Sequence, residues 1–332
     1  MSYRALNIVH HNAFGIHAGN MSSMHHTQDP QYNGPFNAPT AARALRKFGS
    51  LFNHSCVPNA AYTWVANLMV VRAAQDIKQD EEITITYLNR EWPYSYRVRH
   101  LLSFNMICEC ALCQADRGSE DDIAYHNLKL REDYQISHLD GGKWILRSTE
   151  EKEANVRGCL ATYDLNIPDN VPYLGISSMI FHLAHSYLGP SREWPQASKE
   201  TKAKAGACFI AALELCYGVI LVKDSASPYC ELAFANHAQP MPYVVLALIA
   251  LADLAYLSSD SVEVARVAEL LKCAKFVYLL CYGENATFDG HHKGYRCMTA
   301  KTHENATKAP ENWTEIETMA LTKPREFPSF LR

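Results

Sequence analysis

Two clusters of residues in this sequence could do chemistry. The first is Asn53-His54-Ser55-Cys56-Val57-Pro58-Asn59, which holds two amides, an imidazole, a hydroxyl and a thiol in one turn enforced by Pro58. Such a turn presents polar side chains and main-chain groups where a strand or helix could not. The second is Cys108-Glu109-Cys110-Ala111-Leu112-Cys113, three thiols inside six residues. Cys-x-Cys-x-x-Cys is a strong metal signal, and a closed structural zinc site needs four ligands. Cys56 is the natural fourth donor, making Cys56, Cys108, Cys110 and Cys113 one metal set that ties the turn to the tail. The plainer readings are an Asn-rich β-turn around a buried cysteine, and a run of free reduced thiols.

Between the clusters, Asp80-Glu81-Glu82-Ile83-Thr84-Ile85-Thr86-Tyr87 reads as a turn feeding a strand with β-branched residues on alternating faces. A tyrosine at a strand end is ordinarily an amphipathic core residue with its hydroxyl at the rim. Only its neighbours would give Tyr87 another role.

The elements that must position these residues have two textures, changing close after Cys113. Before it come short β-compatible runs, Ala61 to Val65, Leu68 to Ala73 and Glu82 to Leu88. The 52 residues before Asn53 read as a helical segment and a long loop rather than strands. After Cys113, Val267, Leu270, Ala274, Val277 and Cys281 repeat at helical spacing, as do Ala203, Ala207, Ile210, Leu213 and Tyr217. Breakers at 166–172, 189–195, 224–228 and 239–242 divide this part into segments suited to stacked antiparallel helices. No strict 34-residue repeat is present. Segments 21–39 and 283–308, rich in Gly, Asn, His and Thr, read as long loops. The fold class expected is α+β, with a β-rich unit and its zinc cluster over residues 1–117 and an all-α lobe over 118–332.

Composition narrows the partners. A chain of 332 residues with 48% hydrophobic content can bury a sizeable core and accommodates two domains. A net charge of -4 supplies no basic field for a phosphate backbone, so a protein or small-molecule partner is expected and direct nucleic-acid binding is not. The start, Met1 to Asn20, lacks a basic stretch followed by an apolar core. The longest apolar run, Tyr243 to Leu257, is short and interrupted by Asp253, so no membrane insertion is expected. Eleven cysteines, an odd and locally clustered count, fit reduced thiols and a metal site in the cytoplasm or nucleus. The pairs His10-His11, His25-His26 and His291-His292 lack a third ligand at fixed spacing and read as loop residues. Thr149 to Glu153 reads as a solvated first helical turn, favoured by the helix dipole.

The block from Arg46 to Cys113 resembles the C-terminal SET and post-SET segments of the SET-domain lysine methyltransferases, most of all their SMYD-type and fungal members. His11-Asn12-Ala13-Phe14-Gly15-Ile16 is similar to the Asn-x-Phe segment of SMYD-type proteins. The resemblance implies that the Asn53 turn and the strand ending at Tyr87 thread through one another, and that the helical lobe is tetratricopeptide-like. It implies that Asn53 and His54 contact S-adenosylmethionine, that Asn12 meets its amino-acid end, and that Tyr87 is the catalytic phenol. Phe104 and Met106 stand where the family commonly places aromatic residues beside the cofactor and lysine channel. The Gly-x-Gly strand that opens a SET domain and the MYND finger are not found, so a partial SET domain is expected. The resemblance thus implies a protein-lysine methyltransferase. The alternatives are a SET-derived binding or regulatory module without methyl transfer, and a repurposed small-molecule enzyme.

Overall fold

A computed structural model describes residues 13–16, 42–45, 48–65, 68–117, 122–139, 147–163, 171–223, 226–235, 238–239, 242–282, 288 and 327–331. Asn12, Cys297, the three histidine pairs, segment 21–39 and all of segment 283–308 except Phe288 lie outside the described residues.

The region before the Asn53 turn differs from expectation. Strands β1 (Ala13–Ile16) and β2 (Ala42–Leu45) pair antiparallel, Ala13 opposite Leu45 and Ile16 opposite Ala42. Ala-Arg-Ala-Leu favours helix locally, so pairing across the chain overrides local propensity here. A single 3-10 turn, Gly49–Leu51, leads into the two-residue strand β3 (Asn53–His54). Then come the hairpin β4 (Ala60–Val65) and β5 (Leu68–Ala73), and β6 (Thr84–Ile85). The strand expected up to Tyr87 is only two residues long and ends before it. β6 returns parallel to β3, Asn53 opposite Thr84 and His54 opposite Ile85.

Helix α1 (Tyr94–Leu102) starts after Pro93, whose fixed φ suits a helix start. It ends where Asn105 takes φ 56°, a left-handed position that asparagine tolerates, and Met106 N–H bonds back to Leu101 O at 3.1 Å. That reversal sends Cys108 and Cys110 back toward α2 (Ala111–Arg117), which carries Cys113. Then follow α3 (Asp122–Leu139), α4 (Thr149–Leu160), α5 (Leu174–Leu188), α6 (Lys199–Ala211), α7 (Pro242–Tyr256) and α8 (Ser261–Tyr282). The acidic turn at Thr149 is a helix start, capped reciprocally by Ser148 and Glu151.

The core lies in this helical part. α7 is buried almost throughout, Val244, Val245, Ala247 and Leu248 being fully covered, as a central helix must be. Val267, Leu270, Ala274 and Val277 of α8 face it as their spacing predicts, and Cys281 sits at the margin. On α6 the buried face is Ala205, Cys208 and Phe209, while Ala203 is exposed and Ala207 and Ile210 are half-covered. The expected stripe is offset because α6 does not continue to Tyr217: it widens into a π turn at Ala212–Cys216. Gly218 at φ 65° then turns the chain into a hairpin, β7 (Val219–Lys223) with β8 (Cys230–Phe234). This hairpin joins the helices in a part that otherwise matches the helical texture expected. No helix among the described residues is long and apolar enough to cross a membrane.

Candidate active site and thiolate centre

The β3–β6 pairing assembles the site. Ser55 N–H bonds Ile85 O at 3.0 Å and continues the ladder into the turn. Asn59, the second asparagine of the motif, locks that turn: its Oδ1 accepts from Thr84 N–H at 2.8 Å and its Nδ2 donates to Glu82 O at 2.8 Å. Asn59 is buried, with its amide bonded to both main-chain partners. Asn53, at the other end of the motif, is exposed and donates from Nδ2 to Glu82 Oε1 at 2.5 Å.

His54 joins the two chemical clusters. Its Nδ1 accepts from Tyr87 N–H at 3.0 Å. The ring proton therefore resides on Nε2, which lies 3.3 Å from Cys56 Sγ and donates to it. Both ring nitrogens are thus engaged inside the protein, and only the His54 main chain is left to meet a ligand. Tyr87 meets the rings of His54 and Phe104 in tilted contacts, at centroid distances of 5.3 and 5.9 Å. Its hydroxyl donates to Phe52 O at 2.5 Å, which leaves the phenol oxygen as an acceptor toward the site. Desolvation, then the Glu82 carboxylate, raises the Tyr87 pKa, so the phenol stays protonated. Met106 packs, half-buried, against the core.

The four expected cysteines converge. The sulfur atoms of Cys56, Cys108, Cys110 and Cys113 all lie within 4.8 Å of one another. Cys56 and Cys113 are 3.6 Å apart, against the roughly 3.8 Å edge of a tetrahedron with ~2.3 Å metal–sulfur bonds. Among the described residues no carboxylate or imidazole joins the group, so the donor set is four sulfurs, soft ligands suited to zinc. A hydrogen bond from Cys110 holds Cys108 well below the usual thiol range, while the thiols around Cys113 push its pKa far up.

The surroundings of this centre hold charged residues that the sequence did not single out. Arg97 is 1% exposed; it donates through Nε to Trp92 O at 3.1 Å and through Nη1 to Cys113 Sγ at 3.4 Å. Its other nitrogen is paired with Asp116. Asp116 also takes Arg131 Nη1 at 3.0 Å, and Arg131 lies over the Tyr163 ring at 3.8 Å and donates to Thr162 O at 2.7 Å. A buried guanidinium beside the sulfurs would offset the negative charge of four thiolates if a divalent ion were bound there. A second tie joins the Asn53 turn to the helices: Gln239 donates to Pro58 O at 3.3 Å and accepts from Arg90. Next to it the Glu91 carboxylate accepts from Tyr217 at 2.6 Å and Ser177 at 2.7 Å. Arg97, Arg90 and Glu91 read as ordinary charged residues in sequence, since no spacing rule announces burial.

The SET domain family matches residues 10–88. Over 112 residues the chain is 33% identical to histone-lysine N-methyltransferase ASHR1 of Arabidopsis thaliana, covering 33% of this chain and 23% of that protein. It is 33% identical over 99 residues to histone-lysine N-methyltransferase set5 of Schizosaccharomyces pombe, covering 26% of this chain and 31% of that protein. With N-lysine methyltransferase SMYD2 of Homo sapiens it shares 40% identity over 65 residues, covering 19% of this chain and 15% of that protein. The chain therefore spans less than a third of each of these curated relatives.

Proposed function

We propose that residues 10–88, which match the SET domain family, are a SET domain, and that the chain is an S-adenosylmethionine-dependent protein-lysine methyltransferase with a structural zinc. The observation that carries this reading is the β3–β6 pairing, which sets Asn53, His54 and Tyr87 beside one another at the edge of a four-thiol centre. Residues 1–117 form the catalytic part and residues 118–332 the helical lobe, with cytoplasm or nucleus as the compartment that keeps the thiols reduced.

The residues present suit a cationic cofactor. Asn53 is exposed, the Glu82 carboxylate is held against it, and Tyr87 and Phe104 offer ring faces that attract a cation. Asn53, the His54 main chain, Phe104 and Met106 would hold S-adenosylmethionine, with Asn12 at its amino-acid end. The cofactor supplies a methyl group activated by its sulfonium. The chain's own work is alignment and proton control. Tyr87 has its proton committed to Phe52 O, so its oxygen accepts an N–H from the target lysine and turns the nitrogen lone pair toward the methyl group. A neutral, protonated phenol does this without competing as a nucleophile. Cys56, Cys108, Cys110 and Cys113 would hold zinc and so fix the turn that carries Asn53 and His54.

Calorimetric titration of S-adenosylmethionine into the full chain tests the reading. Saturable binding that Asn53→Ala weakens at least about tenfold is expected. Tyr87→Phe is expected to keep binding within a few-fold and to lower turnover on a lysine peptide by about 10²-fold or more. Absence of binding at millimolar cofactor, or full turnover in Tyr87→Phe, would sink it.

A further inference from the structure

The helical lobe holds a short apolar segment of its own chain in a groove. Ser329–Leu331 forms one 3-10 turn, closed by Leu331 N–H to Pro328 O at 2.8 Å. Phe327 meets the Tyr173 ring edge-on at 5.2 Å between centroids, and Phe330 meets Tyr187 edge-on at 6.1 Å. The Lys204 ammonium lies 5.8 Å from the Phe330 ring centre and 5.7 Å from that of Tyr187. Leu331 is 1% exposed. Among the described residues, the segment's main-chain hydrogen bond is internal, so side chains alone anchor it to the lobe.

The groove's rings are fixed by contacts that do not involve the segment. Tyr187 donates its hydroxyl to Glu153 on α4, and Glu153 is paired with Arg157 at 2.7 Å. Tyr173 stands edge-on to Tyr163 at 5.1 Å, and the Arg131 guanidinium covers Tyr163. A groove whose walls are positioned in advance, filled by a small turn through two rings and one leucine, is how short peptides dock. Ring edges and an ammonium over ring faces select aromatic side chains in particular.

We propose that this groove is a peptide-docking site whose occupant in cis is Phe327–Leu331, and that it accepts the same Phe-x-x-Phe-Leu pattern from a peptide in trans. The site is separate from the Tyr87 centre and does not depend on methyl transfer.

Fluorescence anisotropy with a labelled Phe-Pro-Ser-Phe-Leu-Arg peptide tests this on the full chain. The double variant Phe327→Ala, Leu331→Asp removes one ring and puts a charge at the buried leucine, which releases the segment with its Phe330, and is expected to bind the peptide saturably. The wild-type chain is expected to bind at least about tenfold more weakly, because a tethered copy competes at an effective concentration of about millimolar. Adding Tyr187→Ala to the double variant should abolish binding. Equal binding by wild type and double variant, no binding by the double variant, or binding indifferent to Tyr187→Ala would overturn the proposal. Loss of cooperative melting in the double variant would also overturn it, since Leu331 would then belong to the core rather than to an exchangeable ligand.

Discussion

The part around the thiols and the helical lobe are held together by different physics. In residues 48–117 the covered apolar side chains are sparse, Ile85, Leu88, Leu101 and Leu112 among them. The joints there are polar: Asn59 to the 82–84 strand, His54 to Cys56 and Tyr87, and Arg97 to Cys113 and Asp116. In the helices from Val156 to Tyr278, long rows of Leu, Ile, Val and Phe are fully covered. A unit with so little apolar burial depends on staples, and four convergent thiols supply one. On the proposed reading the first part is conditional on metal and charge, while the second is a frame that stands on burial.

The largest effect that could break this contrast comes from a thiol. Elemental analysis of the full chain should give one zinc, and Cys110→Ser should lose it. Apparent zinc binding in such sites is worth about 10–16 kcal/mol, so one missing ligand removes most of the staple. The far-UV helical signal should persist, because α5, α7 and α8 owe nothing to the sulfurs. Full zinc in Cys110→Ser would show that the four sulfurs are neighbours and not a ligand set.

Next comes Asp116→Asn, which leaves Arg97 charged, 1% exposed and without its carboxylate. Breaking a buried pair from one side costs about 3–5 kcal/mol, and zinc should leave faster because Arg97 no longer holds its place at Cys113. Urea unfolding and zinc release to a chelator measure the two consequences. An effect below about 1 kcal/mol would mean that Arg97 relaxes to water.

Acid should find the weak point of the other part. Burial lowers the pKa values of His182 and His185 on α5 from 6.5 to about 4 each. Both are neutral in the fold and become charged in the unfolded chain below pH 6.5. Their stabilisation is therefore complete above about pH 6.5 and is lost as pH falls toward 4. Since both side chains are partly exposed, about 1–3 kcal/mol per histidine is expected. His182→Gln, His185→Gln should flatten the dependence of the helical melting temperature on pH between 6.5 and 4. An unchanged slope would remove these histidines from the account.

The sequence carried the thiol set more fully than the frame. Cys56 could be assigned to Cys108, Cys110 and Cys113 because ligand chemistry demands a fourth thiolate wherever the chain must fetch it. Tyr87 and the Asn53 turn were legible as a motif, but the strand expected to run to Tyr87 shrinks to Thr84–Ile85, and Tyr87 meets the turn through its N–H to His54 instead. What stayed hidden is set by tertiary context. Ala42–Leu45 has helical propensity yet pairs as a strand, and α6 breaks into a π turn where its apolar spacing alone would run on to Tyr217. The His54 ring proton was not legible either, since it follows from a main-chain N–H 33 residues away. Arg90 and Glu91 are charged residues that meet Gln239, Ser177 and Tyr217 far along the chain, and Arg97 is buried against Cys113 and Asp116, contacts that local pattern does not encode.

The smallest effect sharpens the comparison most cleanly. The helical lobe has polar ties of its own, and Glu200 with Lys204 on α6 is one, at 3.6 Å and an i,i+4 spacing. Chemically it is the same carboxylate-to-cation pair as Asp116 with Arg97. The difference is solvent: Glu200 is 81% exposed and Lys204 35%, against 13% and 1% for the other pair. In water the attraction is screened and the side chains lose entropy to hold it, so Glu200→Gln should change stability by less than about 0.5 kcal/mol. If it cost as much as Asp116→Asn, charge pairing would be equally valuable everywhere and the contrast between the two parts would fail. A small value beside a large one assigns the difference to burial, the property that makes the thiol centre's polar joints indispensable and leaves the frame's surface pairs incidental.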